Sequence, residues 1–579
     1  MFVTASNNGF SLKAWQGSTM TMLAMNMAEK PADGTFAGFT LAYINQRGKK
    51  YFIQNLLNFE GINNVTSSNA SPIQLFRWVH FPGSYQQTGI LTGEYIYMAT
   101  PRFLDINKKL LPTDKTQTVS VKIMVDDFTK AGFSMGFTRA FLKSQAFANR
   151  YGASQKLIPG GDWLFDTNTI AGNFHNQDFT YENMYVWLGF SARKKTYNLL
   201  KEALDNEDVS VDMYAYDYND PVIAKMCLDL GTRGSIRMII DNASLHTGDK
   251  AEEDDFTKRF QLAATGNSEI FRCHFARYSH CKIIILKKKN KPYKVLTGST
   301  NFSYTGLYIN ANHVLVFDNK NVAEYYGNVF NACWKKGNAP LFRATNYALH
   351  PKKFQKPAVP TTEINFSPHS PEYAAQVIDA ITKNVLDKST KSVLFSVMEL
   401  GVTSTGSLIP ALRELHKNDA IYTYGVTDSS GDEISLYKPG KKTGLLINAK
   451  AANRELPPPF NTEHSLGLAH AIHHKFVVIN FNKSDAKVYC GSSNLALGGE
   501  KDNGDNLLCI KDTDVATAFA IEAIRLTDHY NFRSLKDKEE KAAEAGDVKK
   551  PITLDNTGKW VDKFYDENDI RYVERILFA

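Results

Sequence analysis

The chain has no apolar run approaching the roughly 20 residues that a membrane-spanning helix needs, so no transmembrane segment is expected. Cysteine is scarce: six in 579 residues, at positions 227, 273, 281, 333, 490 and 509. None forms a Cys-x-x-Cys pair, which sets aside zinc-ribbon and redox spacings and points to separate thiols rather than a disulfide framework. Met1 to Lys13 lacks a basic region followed by an apolar core. A cytoplasmic protein, or one exported without a recognisable signal, is therefore expected. Charge of one sign is also modest, with 67 Lys and Arg against 60 Asp and Glu, a net +7. That balance is compatible with a phosphate-bearing partner, yet there is no Lys/Arg stripe of the kind a nucleic-acid groove carries.

What the chain does have is one pattern written twice. The first copy reads His280-Cys281-Lys282, an apolar run, a turn, and Gly298-Ser299-Thr300-Asn301. The second reads His473-His474-Lys475, an apolar run, a turn, and Gly491-Ser492-Ser493-Asn494. In both, Gly follows the first His by 18 residues and Asn follows it by 21. The runs Lys282 to Leu286 and Lys475 to Ile479 are β-branched and apolar, as buried strands are. Side chains alternate along a strand, so His280 and Lys282 share a face, as do His473 and Lys475. His474 points the other way. The returning strands, Tyr293 to Thr297 and Lys487 to Cys490, bring Gly-Ser-x-Asn back beside the His and Lys. Each copy thus gathers an imidazole, an ammonium, a hydroxyl and an amide at one strand end. A metal reading of His470, His473, His474 and Cys490 lacks a second spaced ligand set, and no metal or cofactor is expected.

Residues 1–150 read differently. Short alternating or aromatic runs recur (Thr19 to Met27, Phe36 to Ile44, Lys49 to Phe59, Ile73 to Phe81, Glu94 to Pro101, Thr116 to Phe128) between Gly, Asn, Pro and Ser clusters. That rhythm predicts an antiparallel β-sandwich, in which His80 is a packed structural histidine. Phe137 to Tyr151 has helical character, and 151–185 reads as a connector. Residues 186–350 and 372–579 then repeat a helix, strand, helix and strand before the motif, and a strand and helix after it, as β-α-β units do. Residues 351–371, rich in Pro and Lys, read as the linker. The tail from Lys536 to Lys550 is of mixed charge, and the aromatics of 551–579 are expected to pack back on the body.

The paired His-x-Lys and Gly-Ser-x-Asn resemble the phospholipase D superfamily over roughly residues 185 to 535. The resemblance implies an α/β fold: two α-β-α sandwich repeats related by a pseudo-twofold, preceded here by the β-sandwich. Two departures stand out. The family's motif aspartate is Lys287 in one copy and Asn480 in the other. The family's acidic residue 14 positions after the motif Gly is Asp505 in copy two but Asn312 in copy one. The resemblance also implies metal-free phosphodiester chemistry through a phosphohistidine. His280 is then the nucleophile and His473 the general acid; Lys282, Lys475, Asn301 and Asn494 hold the phosphate. Ser299, Ser492, Gly298 and Gly491 line the site, and Asp505 orients His280. Lys287 to Lys289 form a basic hairpin tip that is expected to be merely solvated. The expected substrate is a phospholipid at a membrane surface, cleaved to phosphatidate; a nucleic acid is the alternative, and an inactive binding protein a third. Two motifs in one chain remove the need for dimerisation, so a monomer is expected.

Overall fold

A computed structural model describes residues 1–55, 57–62, 66–82, 91–140, 147, 150–152, 155–399, 408–415, 418, 420–429, 433–437, 445–448, 471–544 and 553–579. The N-terminal part is an antiparallel β-sandwich of two four-stranded sheets. One runs Phe2–Asn7, Phe10–Gln16, Thr21–Met27, Arg77–His80; the other runs Lys50–Phe52, Phe36–Ile44, Gly93–Phe103, Val119–Val125. Leu12, Leu23, Phe39, Leu41, Tyr95 and Tyr97 fill the space between them. The first hairpin, Phe2–Asn7 with Phe10–Gln16, had no strand expectation; polar residues on its outer face hide the alternation.

The rest of the chain forms two larger mixed sheets. The first has eight strands in the order Glu269–Arg272, Ile236–Ile240, Val209–Ala215, Ile283–Lys288, Lys291–Gly298, His313–Phe317, Phe133–Phe137, Phe128–Lys130. The second has nine: Lys352–Phe354, Thr361–Phe366, Asn506–Lys511, Lys487–Gly491, Lys475–Ile479, Ser392–Glu399, Tyr422–Ser429, Glu433–Tyr437, Leu445–Asn448. The motif strands Ile283–Lys288 and Lys475–Ile479 lie centrally. Each is antiparallel to the strand that opens its copy, and that strand pairs in parallel with the next across a helix.

Both sheets carry a hairpin before their first helix that the sequence reading put elsewhere. Phe128–Lys130 and Phe133–Phe137, expected within the N-terminal domain, pair with His313–Phe317 in the first sheet. Lys352–Phe354 and Thr361–Phe366, expected as linker, pair with Asn506–Lys511 in the second. The physical reason is that each hairpin is an edge, where Pro and Lys are tolerated because one side of the ladder is free. The connector is partly structured too: Ile170–Phe174 and Gln177–Thr180 pair, and a helix runs Tyr181–Leu204 behind a capping box of Thr180 and Asn183. The helix expected over 137–151 falls largely outside the described residues.

The two sheets face one another across a shared core. Phe137, Ile283, Ile285 and Leu315 from the first share that core with Phe476, Val478 and Leu508 from the second and with Phe519 of the helix Thr513–Glu544. A long helix, Thr513–Glu544, lines the second sheet. Trp560 and Phe564 of the C-terminal segment enter the sandwich core, and Trp560 Nε1 donates to Phe36 O. No described helix is long and apolar enough to cross a membrane.

Candidate active site

Both His-x-Lys segments lead into their strands, Lys282 just before Ile283 and Lys475 as the first strand residue, and carry the same local bond. Lys282 Nζ donates to His280 O at 2.5 Å, and Lys475 Nζ to His473 O at 2.7 Å. All four residues are buried. The backbone ahead of each histidine is tied to a strand-end carboxylate: Ser279 N donates to Asp241 Oδ1 at 2.6 Å, Ile472 N to Asp428 Oδ1 at 3.2 Å. These two aspartates close corresponding strands in the sequence, and that repetition is the signal that marks them.

Gly298 and Gly491 allow the return strands to come this close. Their φ angles are +145° and +135°. A Cβ on Gly298 would stand 2.3 Å from His313 O, and one on Gly491 2.5 Å from Asn506 O. Only glycine fits such an approach. Ser299 and Ser492 then bond back across their sheets, Ser299 Oγ to Asn312 Oδ1 at 2.8 Å and Ser492 Oγ to Asn506 Oδ1 at 3.1 Å. Both serines are fully buried. Their hydroxyls brace the residues around the histidines. Asn301 donates Nδ2 to Asp217 Oδ2 at 3.3 Å, and the Oδ1 atoms of Asn301 and Asn494 have no partner.

The copies are joined by exchange. His280 Nδ1 lies 2.7 Å from Asp505 Oδ1 of the other copy, and His473 Nδ1 lies 2.8 Å from Asn312 Oδ1 of the first. Asp505 and Asn312 occupy equivalent positions, 14 residues after Gly491 and Gly298. The backbone repeats the exchange: Ala311 N donates to Ala471 O at 2.9 Å, and Gly504 N to Tyr278 O at 2.8 Å. Asn312 Nδ2 donates to Gly306 O, which turns its Oδ1 towards His473. In both contacts Nδ1–H donates to the oxygen, leaving each Nε2 for other work.

Burial dominates the electrostatics. It pushes His280 down to about 4, against the pull of Asp505, so the ring is neutral at neutral pH. Burial also lowers Lys282 to about 8 and Lys475 well below its ordinary value, with Lys282 adding repulsion to the latter. Asp505 is raised by burial, yet His280 and Lys282 bring it below the usual carboxylate range. Lys282 and Lys475 thus crowd one another beside the ionised Asp505.

His474 faces away, its Nδ1 3.1 Å from His313 Nδ1 and its Nε2 3.1 Å from Glu522. His80 is buried against Tyr97 OH at 2.7 Å. His470 lies outside the described residues. Lys287, at the family's aspartate position, donates to Asp212 Oδ1 at 2.6 Å, so this end of the hairpin is an ion pair rather than solvated. Asn480, at the other, holds the turn with φ +58° and accepts from Lys391 N at 2.8 Å. Sequence reasoning missed Asp217 and Tyr216. The Tyr216 ring packs 4.6 Å from the His280 ring and 4.6 Å from Lys282 Nζ. Asp217, His246 and Glu253 each bring a ligand atom within 4.8 Å of the others. Asp217 accepts from Asn301, Ser303 and Thr305, and His246 bonds Asp241.

The family described as "Cardiolipin synthase, PLD-like domain" matches residues 198–334. The chain is similar to "Phospholipase D" of Rickettsia bellii (strain RML369-C), 27% identical over 128 residues, which is 22% of this chain and 58% of that protein. It is similar also to "Phospholipase D" of Rickettsia conorii (strain ATCC VR-613 / Malish 7), 27% identical over 124 residues, 21% of this chain and 56% of the relative. The chain thus spans little more than half the length of the curated relatives it matches. Among solved structures, the phospholipase D family member Nuc from Salmonella typhimurium has a TM-score of 0.20 and 23% identity, covering 24% of this chain and 87% of that one.

Proposed function

We propose that the chain is a phosphodiester hydrolase and transferase of the phospholipase D superfamily, working through a phosphohistidine; the match of residues 198–334 to the PLD-like family and the similarity to the rickettsial relatives support this reading. One observation carries the reading: the reciprocal pair of contacts in which each copy's residue 14 after the motif Gly holds the other copy's histidine. It supports one composite site rather than two separate ones.

His280 is the nucleophile. Its Nδ1–H is spent on a carboxylate, and its burial keeps Nε2 unprotonated. His473 is the general acid: an amide, unlike a carboxylate, does little to stabilise an imidazolium, so the held proton is easier to give away. Nε2 of His280 attacks phosphorus, the bond to the leaving oxygen breaks, and His473 protonates that oxygen. The substituted phosphoryl group now sits on His280. His473, neutral, takes a proton from water or an alcohol, whose oxygen attacks phosphorus and breaks the P–N bond. Lys282, Lys475 and the motif asparagines hold the non-bridging oxygens.

The favoured substrate is a phosphatidyl-alcohol, in keeping with the relatives' name, cleaved to phosphatidate at a membrane surface by a monomer. A nucleic-acid diester is the second reading, since its phosphate presents the same non-bridging oxygens to Lys282 and Lys475. Incubation with phosphatidylcholine vesicles and with single-stranded DNA, both with EDTA, tests them. Choline release is the expected result. Strand cleavage alone would transfer the reading to nucleic acid. Silence on these and on simple aryl phosphodiesters would leave a binding protein.

A further inference from the structure

Arg139 follows the strand Phe133–Phe137 and is 3% exposed. Its guanidinium lies within a ring of aromatic faces, with Cζ 4.2 Å from Phe81, 4.4 Å from Trp187 and 4.4 Å from Phe190. Phe190 reaches this position through a break inside the helix Tyr181–Leu204, at φ +44°. A bulky residue at positive φ is strained, and such strain is held where the surroundings require it.

Cation–π contact offsets part of the cost of burying the charge, but it leaves N–H groups unmade. Arg139 Nε and Nη2 have no hydrogen-bond partner, and neither has the buried Trp187 Nε1 beside them. Buried Arg102 and Arg575 bond hydroxyl, amide and backbone oxygens, and three further buried arginines meet carboxylates. Arg77 meets Glu574 and Asp528, Arg193 meets Glu182, and Arg525 meets Glu522. Arg525 adds like charge, and its Nη1 donates to Arg139 O at 3.0 Å. Among the described residues no carboxylate pairs with Arg139. Arg139, Trp187 and Phe190 line a cleft of about 980 Å³, bordered by Thr19 and Asp127 on one side and by the helix Tyr181–Leu204 on the other.

We propose that this cleft is a second oxyanion site, in which Arg139 and the Trp187 indole N–H bind a phosphate group, separate from the paired-histidine site. Two donor atoms on a buried cation and a third on the indole, with no acceptor among them, suit the oxygens of a phosphate. The group belongs either to a free phosphate compound or to a lipid headgroup. The site does not depend on the catalytic reading. It is nonetheless adjacent to that machinery: Thr138 N donates to Asn312 O at 3.0 Å, and Asn312 N donates to Thr138 Oγ1 at 2.9 Å.

The test is equilibrium dialysis of the full chain with radiolabelled inorganic phosphate, beside flotation with phosphatidate-containing vesicles. The variants are Arg139→Met, Trp187→Phe and, to remove the paired-histidine site, Lys282→Met with Lys475→Met. Arg139→Met should bind one phosphate fewer than the unaltered chain, while the double lysine variant keeps the Arg139-dependent one. Arg139→Met should also unfold at the same or a higher temperature in phosphate-free buffer, because an uncompensated buried charge has gone. Trp187→Phe removes a single donor and should weaken that phosphate by about tenfold, which keeps the proposal testable if Arg139→Met fails to fold. Vesicle binding that needs Arg139, without binding of free phosphate, assigns the site to a lipid headgroup. Unchanged stoichiometry and unchanged flotation in the Arg139 and Trp187 variants would overturn the site.

Discussion

Asp505 and Asn312 hold equivalent places and differ only in a carboxylate against an amide, and that difference makes the two histidines unequal. Asn312→Asp should raise the His473 pKa, moving the alkaline limb of kcat, where the general acid loses its proton, upward by about one to three pH units. Asp505→Asn should lower kcat by about 10²–10⁴-fold, as the positive charge that develops on the attacking imidazole loses its carboxylate, with a smaller effect on KM. Lys282 is charged only below about 8, so kcat/KM should fall as pH rises through that value. Stability moves the opposite way on the acid side. The unfolded chain takes up a proton on His280 near 6.5 and the folded one only near 4. Between those values the unfolded state holds more protons, so folding weakens as pH falls, by on the order of 3 kcal/mol for this group. Urea titrations at pH 7 and pH 4.5, on the natural chain and on His280→Phe, measure it. His, Lys, Gly and Asn of each motif were legible because they recur at fixed spacing. Asp217 and Arg139 were not, since nothing recurs around them and their surroundings come from distant segments.

At the scale of elements, the return strand depends on a position that no side chain can occupy. Gly298→Ala would place a methyl against the His313 carbonyl in a left-handed backbone. The expected loss is on the order of 3 kcal/mol, read as a fall in urea midpoint, with activity lost beyond the loss of fold. The central strands of both repeats and the helices Pro221–Thr232 and Pro371–Val385 could be read from apolar runs and helix starts, since Asp220 and Ser370 cap ahead of a first-turn proline. The edge hairpins at 128–137 and 352–366 could not. They are short, mixed in polarity and, in the second, rich in proline, so their sheet membership comes from the strand they border rather than from their own pattern.

For the molecule as a whole, the N-terminal sandwich is tied into the second repeat and the C-terminal segment. Arg77 in the sandwich reaches Glu574 at 2.5 Å and Asp528 at 2.6 Å, and Trp15 Nε1 donates to Phe578 O at 2.9 Å. Arg77→Met leaves two carboxylates without their cation and should cost on the order of 3–5 kcal/mol. Calorimetry should show the sandwich and the second repeat unfolding in one transition; a separately melting sandwich would contradict that coupling. The sequence announced two repeats and a sandwich, but not this stitching, which joins residues some 500 positions apart. The shared site is the claim on which the function rests, and trapping its intermediate tests it most directly. An aryl phosphodiester with an activated leaving group, quenched on the His473→Ala chain, should leave its substituted phosphoryl group on the peptide bearing His280, with none on His280→Ala. Label recovered on His473 in the unaltered chain, or turnover with no labelled histidine at all, would contradict it.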